Sequence, residues 1–373
     1  MICGVNIIGP VFGEFGIGED VRSLSNAILS LNIPINIIEY PKRGNFAKAS
    51  YSLKQFCSNE FKYPINIFCM PLFEIFRFIS EFGLSDFDEN YNVGYSPWEL
   101  ESWPNHFKFM ANYLDEIWAS SNHTFQAYKK QFNIPVSLIP LIVELPKPAQ
   151  EPQLVHIPYL DKSKFNFLYV FDSNSTFSRK NPHDVTQSFQ KAFSDRSDVG
   201  LILKTMNYQF DDKKLNSDLQ NYSNITLIND CLSRANLFAL YKACDAYISL
   251  HKAEGFGRTI AEAMLLKKPV IVSDYSGSRD FCTEETAFLV DGNLGAVDSY
   301  AYPFWFHNQW FYPNVESAAN QMLLCFEKAD LRAIKVQNAY QSICRLFSRK
   351  NISKKIKSRL IDLTESLPER VKI

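Results

Sequence analysis

The chain lacks several features that would assign it to a simple structural class. No apolar run reaches the ~18 residues that a membrane-spanning helix needs, so we do not expect the chain to cross a bilayer. With a net charge of −1, the chain lacks the large positive charge by which many proteins bind nucleic acids. Internal repeats and low-complexity tracts are absent, and the 46% apolar and 21% charged residues are ordinary globular values. We therefore expect a globular protein with no nucleic-acid partner.

Cysteine pairs and a secretion signal are also missing. The eight cysteines form no C-x-x-C pair, which predicts buried free thiols in a reducing compartment rather than disulfides or zinc. Residues 1–9 lack the basic start and small-residue cleavage site of a signal peptide, so we expect a cytoplasmic protein. Basic residues interleaved with aromatic ones form either a surface for peripheral contact with the inner membrane or a solvated face: Lys42, Arg43, Lys48, Lys54 and Lys62 among Phe46, Tyr51, Phe56 and Phe61.

Strand-like and helix-like segments alternate along the chain in two series. At 373 residues the chain is too long for one ordinary core, and closely spaced prolines between residues 145 and 164 predict a linker. We therefore predict an α/β protein with a first domain over 1–150 and a second over 165–349. Two Rossmann-like halves are expected to face a cleft, the usual place for a ligand.

The segment Asp245–Met264 carries the strongest functional signal. It contains a strand, a glycine turn and a helix start, with Glu254 and Glu262 on either side of the turn. Gly255 and Gly257 permit close approach of backbone amides to an anion, and a helix N-terminus supplies unpaired N–H groups. This arrangement suits a ligand with a phosphate in the middle and a sugar at each end. On these residues alone, an ordinary strand-to-helix turn with acidic dipole partners is an equal alternative.

The same segment resembles the Glu-x7-Glu motif of the retaining GT-B glycosyltransferases, specifically glycosyltransferase family 4. The match runs through Glu254, Gly255, Phe256, Gly257 and Glu262. The resemblance implies a GT-B fold whose C-terminal helix, from about 350 to 373, crosses back to the first domain. It also implies a metal-independent, retaining hexosyltransferase that uses a nucleotide-diphosphate sugar and has no resident cofactor. The expected acceptor is a glycan or lipid-linked glycan, in the synthesis of bacterial O-antigen, capsule or exopolysaccharide.

Either a metal ion or fixed cations with backbone dipoles must hold the diphosphate, because the leaving group gains negative charge as the glycosidic bond breaks. Ser178–Pro182 follows a strand of the second half, and Lys204 ends the next strand. Lys180 takes the place of the family lysine. The family arginine usually lies several residues earlier, near 172–175, where this chain has none. Arg179 either substitutes for it or is a surface residue.

The resemblance assigns a role to each group around the turn. Lys180 and the amides near Phe256 and Gly257 would hold the diphosphate. Glu262 would accept hydrogen bonds from the ribose diol, and Glu254 would orient hydroxyls of the donor sugar. The nearest metal-binding triplet, Asp-Phe-Asp at residues 86–88, lies in a polar loop, so no metal site is predicted.

Two segments of the first half are candidates for the rest of the site. Gly16 and Gly18 belong to a glycine loop that would approach the donor phosphate, although a tight turn accounts for them equally well. A loop that pairs tryptophans with carboxylates is either an acceptor-binding loop or a buried aromatic cluster: Trp98, Glu99, Glu101 and Trp103.

Other functions remain as alternatives. A GT-B sugar-nucleotide epimerase would use the same donor without transferring the sugar. A dinucleotide-dependent oxidoreductase would place its cofactor at the loop after Gly13, but that loop reads G-x-x-G-x-G rather than G-x-G-x-x-G. A catalytically silent protein that keeps the fold is the third alternative.

Overall fold

The computed structural model describes residues 2–40, 51–83, 85–145 and 160–371, which form two compact units. The first unit comprises Met1–Val143 with Leu346–Ile373, and the second comprises Glu144–Arg345. Most of the predicted linker, at 146–159, lies outside the described residues. So do four residues of the predicted membrane-facing surface, Lys42, Arg43, Phe46 and Lys48. Both assignments therefore stay predictions.

The strands and helices are labelled in chain order. The strands are β1 (Val5–Gly9), β2 (Ile35–Glu39), β3 (Ile65–Phe68), β4 (Tyr91–Tyr95), β5 (Glu116–Ala119), β6 (Val136–Leu138), β7 (Phe165–Val170), β8 (Val199–Thr205), β9 (Ile225–Asn229), β10 (Ala246–Ser249), β11 (Val270–Ser273), β12 (Phe288–Val290), β13 (Gly292–Ala296) and β14 (Gln309–Pro313). The helices are α1 (Gly16–Leu29), α2 (Leu72–Phe82), α3 (Ser85–Asp88), α4 (Asn122–Lys129), α5 (Phe177–Lys180), α6 (Pro182–Phe193), α7 (Lys213–Asn221), α8 (Arg234–Ala243), α9 (Arg258–Leu265), α10 (Val315–Glu327), α11 (Ala329–Phe347) and α12 (Arg349–Glu365).

The first unit is built on a parallel six-stranded sheet in the order β2-β1-β3-β4-β5-β6. Four buried asparagines occupy matching positions near the amino ends of its strands and hydrogen-bond across the sheet. Asn36 donates to Asn6 at 3.3 Å, Asn6 to Asn66 at 2.8 Å, and Asn66 to Asn92 at 2.9 Å. Because a buried amide needs all of its partners, this ladder favours one register of the four strands over a slipped one.

The C-terminal helix α12 belongs to the first unit, as the resemblance implied. Its Arg359 reaches Glu116 of β5, whose side chain is completely buried. Arg359 Nη2 lies 2.8 Å and Nε 2.9 Å from the two carboxylate oxygens. Trp118 Nε1 donates to the same carboxylate at 3.1 Å, and the Ser137 hydroxyl also donates to it. The charge of Glu116 is therefore paired and hydrogen-bonded, which a buried carboxylate requires.

The second unit contains a parallel sheet in the order β12-β11-β10-β7-β8-β9. The chain builds β7, β8 and β9 toward one edge and β10, β11 and β12 toward the other. The order therefore reverses between β7 and β10, the position where open α/β sheets bind ligands beyond the carboxyl ends of the strands. The predicted α/β class with two parallel-sheet, Rossmann-like domains is confirmed in both units.

An antiparallel hairpin of β13 and β14 follows the sheet of the second unit and was not predicted from the sequence. Between Val315 and Glu365 the chain is almost entirely helical, as the sequence indicated. All eight cysteines are free, but the prediction that they are buried is only partly right, because Cys3 and Cys231 are exposed.

Candidate functional site

Residues of the predicted donor site lie where β7, β8 and β10 end. The chain after β7 leads into α5, which carries Arg179 and Lys180. Lys204 is the second-last residue of β8, and the chain after β10 leads through Glu254 to the N-terminus of α9. Because β7 is hydrogen-bonded to both β8 and β10, their carboxyl ends converge on one place in the second unit.

Arg179 and Lys180 both contact the carboxylate of Glu254. Arg179 Nη1 lies 3.2 Å from Oε1, and Lys180 Nζ donates to the same oxygen. Burial raises the pKa of Glu254, but Lys180 and then Arg179 outweigh it, so the pKa falls to about 2. Glu254 is thus ionised at neutral pH. The trio carries one net positive charge, since two cations face one anion.

Arg179 is a buried residue rather than a surface one, with 2% of its area exposed. Its guanidinium donates to the carbonyl of Ala253 at 2.7 Å and to the carbonyl and hydroxyl of Ser175 at 3.0 and 2.9 Å. These bonds fasten the segment before α5 to the segment before the glycine turn. The structure therefore excludes the surface alternative, while contact of Arg179 with a diphosphate stays a prediction.

The backbone around α5 is bent at two residues other than glycine. Thr176 and Asn181 have φ of 65° and 57°, in the left-handed region that side chains rarely adopt. Asn181 offsets this cost with hydrogen bonds from its side chain to the carbonyl of Leu250 at 2.9 Å and to Asp184 at 2.7 Å. The turn thus directs Lys180 toward the segment after β10.

A second loop supports Glu254 from the side of β11. Ser276, with φ of 66°, accepts a hydrogen bond at 2.9 Å from the Glu254 amide, and the Gly277 amide donates to the Glu254 carbonyl at 2.9 Å. A Cβ atom at Gly277 would lie 2.2 Å from the Gly255 carbonyl oxygen, so only glycine fits there. Ser276 therefore supplies a side-chain contact that fixes the backbone of Glu254.

The glycine turn leads directly into α9. Gly257 precedes the helix with φ of 91°, and a Cβ atom there would lie 3.0 Å from Ile260 Cδ1. The left-handed conformation is the reason for glycine at this position. The Ile260 and Ala261 amides both donate to the Gly257 carbonyl at 3.1 Å, and the aligned peptide dipoles give this end of the helix a partial positive charge.

Glu262 lies in the second turn of α9 and is 2% exposed. Its Oε1 accepts a hydrogen bond at 3.0 Å from Nη1 of Arg234, at the start of α8. Among the described residues, none donates to its Oε2. Glu262 is therefore held in one orientation, with one oxygen committed to an arginine that the sequence did not single out.

Lys204 is almost completely buried, and no hydrogen bond or ion pair reaches its Nζ from the parts of the chain that the structure describes. Burial lowers its pKa, while the nearby Cys231, Asp172 and Asp230 counteract this effect. A lysine near the carboxyl end of a strand, with no partner for its ammonium among the described residues, is a candidate for receiving an anionic ligand.

His251 is a residue of this region that the sequence analysis missed. It is fully buried two residues after β10, with Nδ1 3.2 Å from the Ser249 hydroxyl and Nε2 3.3 Å from the Tyr275 carbonyl. Burial lowers its pKa to about 4, even though Glu254 raises it. The ring is therefore neutral at pH 7. It holds the loop after β11, residues 274–280, against the segment that carries Glu254, and we call this loop the β11 loop. No motif around His251 signals this contact, which depends on the fold.

The predicted residues of the first unit have different surroundings. Gly16 begins α1 with open space around it, while a Cβ atom at Gly18 would lie 2.1 Å from the Gly13 carbonyl oxygen. Trp98 is 1% exposed and packs against Trp103 at a ring distance of 4.6 Å, in the buried cluster that was the alternative to an acceptor loop. The partly exposed residues of that loop, Glu99 and Glu101, remain predicted acceptor contacts, as Trp98 does.

Among the described residues, no group of three or more His, Cys, Asp or Glu side chains is placed to hold a metal ion. No described helix is both long and apolar enough to span a bilayer.

Comparison with known proteins supports a glycosyltransferase. Residues 162–301 match the family model described as Glycosyl transferases group 1, a range that includes Arg179, Lys180, Lys204, Glu254 and Glu262. None of the curated proteins matches the chain by sequence.

Several solved structures resemble nearly the whole chain. Anabaena HepE, in complex with UDP and glucose, is 15% identical over 97% of this chain and 100% of that chain, with a TM-score of 0.65. Sucrose-phosphate synthase from Thermosynechococcus elongatus is 14% identical over 97% and 99%, with a TM-score of 0.67. The trehalose 6-phosphate synthase from Burkholderia multivorans is 10% identical over 98% and 99%, with a TM-score of 0.66. At such identities the likeness establishes the fold, and the predicted GT-B fold is confirmed.

Proposed function

We propose that this chain is a metal-independent, retaining glycosyltransferase that moves a hexose from a nucleotide-diphosphate sugar to a glycan or lipid-linked glycan. The observation that carries the proposal is the contact of Arg179 and Lys180 with Glu254, directly before the glycine turn and α9. The family match at 162–301 supports the reaction class. The UDP and glucose bound by HepE support a nucleotide-sugar donor, with UDP as the first nucleotide to test.

The diphosphate would bind where positive charge collects in the second unit. Lys180 Nζ, the N-terminus of α9 and the buried Lys204 are its proposed partners, with the amides of Phe256 and Gly257 nearest the phosphates. Lys180 currently donates to Glu254, so donor binding would draw its ammonium toward the phosphate. Once the donor is bound, these groups would stabilise the charge that the leaving group gains.

The two glutamates would bind the sugars on either side of the diphosphate. Oε1 of Glu254 is committed to the two cations, while no donor from the described chain reaches its Oε2 and 14% of the side chain is exposed. Oε2 would therefore receive hydroxyls of the donor sugar. Glu262, held by Arg234 through Oε1, would use Oε2 for the ribose diol.

The proposed reaction needs no side chain as a general base. The acceptor hydroxyl oxygen forms a bond with the anomeric carbon, and the bond from that carbon to the diphosphate oxygen breaks. The acceptor proton passes to the departing phosphate on the same face of the sugar, so the anomeric configuration is retained. His251 is neutral and buried, and its proposed role is to position the β11 loop behind Glu254.

The cellular role follows from the acceptor class. We assign the enzyme to bacterial surface polysaccharide synthesis, as an O-antigen, capsule or exopolysaccharide transferase. A lipid-linked acceptor requires a cytoplasmic enzyme with peripheral contact to the inner membrane. Acceptor contacts by Trp98, Glu99 and Glu101 in the first unit are part of this proposal.

The donor assignment is tested by thermal denaturation with UDP-, GDP- and ADP-glucose and the three free nucleoside diphosphates. One base should raise the midpoint clearly more than the others. Glu254→Gln should keep the affinity for that diphosphate but lower sugar transfer by roughly 100-fold or more, because an amide cannot replace the carboxylate facing the sugar. Glu316→Gln, at an exposed ion pair with Lys191, is the matched control. Inversion of the anomeric carbon, a free epimerised sugar nucleotide, or no stabilisation by any nucleotide would contradict the proposal.

A further inference from the structure

The hairpin of β13 and β14 ends in a loop of residues 297–308 that we call the aromatic loop. Within eight positions it holds six ring-bearing side chains: Tyr300, Tyr302, Phe304, Trp305, Phe306 and His307. Tyr300 is 89% exposed, more than any other large apolar side chain in the described part of the molecule. Its ring lies 5.4 Å from that of Trp305, so the two rings form one surface. Tyr300 and His307 are exposed and the other four rings are partly exposed, so the loop presents an aromatic surface to solvent.

The backbone of the aromatic loop is also strained at three of the residues that carry rings. Tyr300, Phe304 and His307 have φ of 62°, 58° and 58°, in the left-handed region. Glycine or asparagine would adopt this backbone at lower cost, yet the chain places large rings there. Strained residues of this kind concentrate at ligand-binding segments. The strain and the exposure therefore point to the same use for the loop.

The hairpin is fastened to the segment that carries the proposed donor site. The Phe311 amide of β14 donates to the Lys252 carbonyl at 2.8 Å. The Lys252 ammonium lies 4.9 Å from the Trp310 ring and 4.4 Å from the Tyr312 ring, and it pairs with Asp298 of the aromatic loop at 3.6 Å. Because Lys252 is two residues before Glu254, the hairpin and the carboxylate share one support.

The aromatic loop lies beside Arg179, one of the two cations that contact Glu254. The Lys252 amide donates to the Arg179 carbonyl at 2.9 Å, and the Arg179 guanidinium carbon lies 6.0 Å from the centre of the Tyr302 ring. From Arg179 it is 3.2 Å to the carboxylate of Glu254. A sugar placed against Glu254 would therefore have the aromatic loop beside it.

We propose that the aromatic loop is an acceptor-binding element, in which Tyr300 and Trp305 stack on a pyranose ring of the glycan. This inference rests on the proposed function. A pyranose presents a face of C–H groups to an aromatic ring while its hydroxyls stay in water, which suits the exposed Tyr300 beside the partly exposed Trp305. The proposed function assigns other groups to the diphosphate and to both sugars of the donor, so these rings are assigned to the acceptor, in addition to Trp98, Glu99 and Glu101.

The experiment measures saccharide binding and nucleotide binding separately on the full chain. Methyl glycosides of glucose, galactose, mannose and N-acetylglucosamine are titrated in the presence of UDP, GDP or ADP and followed by saturation-transfer NMR. At least one glycoside should bind, and Tyr300→Ala or Trp305→Ala should weaken it about tenfold or more. Nucleotide affinity should stay within about twofold of that of the unaltered chain.

Two variants serve as controls, since each removes an exposed large apolar side chain of the same unit. Leu294→Ala lies on β13 of the same hairpin, and Phe210→Ala lies after β8. Both should bind saccharide normally. No binding by any glycoside, equal binding by the loop variants, or equal weakening of saccharide and nucleotide would overturn the inference. If Lys180→Ala kept its full nucleotide affinity, that result would contradict the proposed function instead. The saccharide titrations of the Tyr300 and Trp305 variants would still test whether the aromatic loop binds saccharide.

Discussion

Arg179 donates to the carbonyl of Ala253 at 2.7 Å while the same guanidinium lies 3.2 Å from the carboxylate of Glu254, the next residue. One side chain thus fixes both the backbone and the charge at the start of the glycine turn. Lys180, its neighbour, is less buried and contacts only the carboxylate among these groups. We therefore expect the two adjacent cations to have different roles, in which Arg179 positions Glu254 and Lys180 moves to the diphosphate.

Arg179→Ala tests this division through stability. The substitution removes a buried guanidinium with bonds to Ser175 and Ala253, and it leaves their carbonyls and the Glu254 carboxylate short of partners. We expect a loss of about 3–5 kcal/mol, the typical result of breaking a buried pair from one side. Arg279→Ala, at an exposed pair with Asp274, should cost at most about 1 kcal/mol. Urea denaturation of both variants measures their free energies of unfolding. Similar losses in the two variants would show that Arg179 does not stabilise the glycine turn.

The pH dependence of stability should report His251. Its pKa in the folded chain is about 4, against 6.5 for the ordinary imidazole, because burial disfavours the charged ring. As the pH falls, the unfolded chain takes up the proton first, so stability is complete above pH 6.5 and declines between 6.5 and about 4. Glu254, with its pKa lowered from 4.5 to about 2, adds a loss only below pH 4.5.

The His251 contribution is isolated by substitution. His251→Gln should be less stable at pH 7 but should lose less further stability between pH 6.5 and 4.5. His106→Gln removes an exposed imidazole and should follow the unaltered chain. Thermal midpoints measured across this range decide the matter, and identical profiles for all three proteins would refute the burial of a neutral His251.

The fold was predictable from the sequence where local pattern decides it. Apolar runs such as Phe165–Phe171, separated by turns and helical spacing, located the strands of both sheets because a parallel sheet buried on both faces needs continuous apolar segments. The glycine turn placed Glu254 at the end of β10, and the chain order then brought Lys180 to the same sheet edge.

The contacts that were missed depend on distant residues or on unfavourable local conformations. Arg234 reaches Glu262 across 28 positions, and no motif links them. Ser276 adopts a positive φ that its residue type does not favour. The hairpin was not predicted because β13 lacks the alternating apolar pattern of a strand. Its Gly292 and Gly295 have no side chains, which leaves room for Tyr312 of β14.

Arg359→Ala should loosen the C-terminal helix of the first unit. The variant leaves the fully buried Glu116 without its only arginine among the described residues, at a cost of about 3–5 kcal/mol. Lys357→Ala, at an exposed position of the same helix, should be nearly neutral. Hydrogen exchange of α12 provides the readout, and unchanged protection in Arg359→Ala would mean that apolar packing alone holds the helix.

Removal of divalent metal should leave activity intact, because Lys180, Lys204 and the N-terminus of α9 are the proposed counterions of the diphosphate. Transfer from the best nucleotide sugar is measured with excess EDTA and after adding back Mg²⁺ or Mn²⁺. The rate should change by less than about twofold, whereas loss of a required metal typically costs several kcal/mol of transition-state stabilisation. Activity abolished by EDTA and restored by a divalent ion would contradict the fixed-cation account.

The most direct test of the account is the affinity of a nucleoside diphosphate for Lys180→Ala, measured by calorimetry beside the corresponding monophosphate. Lys191→Ala, an exposed lysine of α6 in the same unit, is the control. If Lys180 binds the terminal phosphate, the variant should lose about tenfold or more in diphosphate affinity and little in monophosphate affinity, while the control loses neither. Equal diphosphate affinity in the unaltered chain and Lys180→Ala would contradict the central claim.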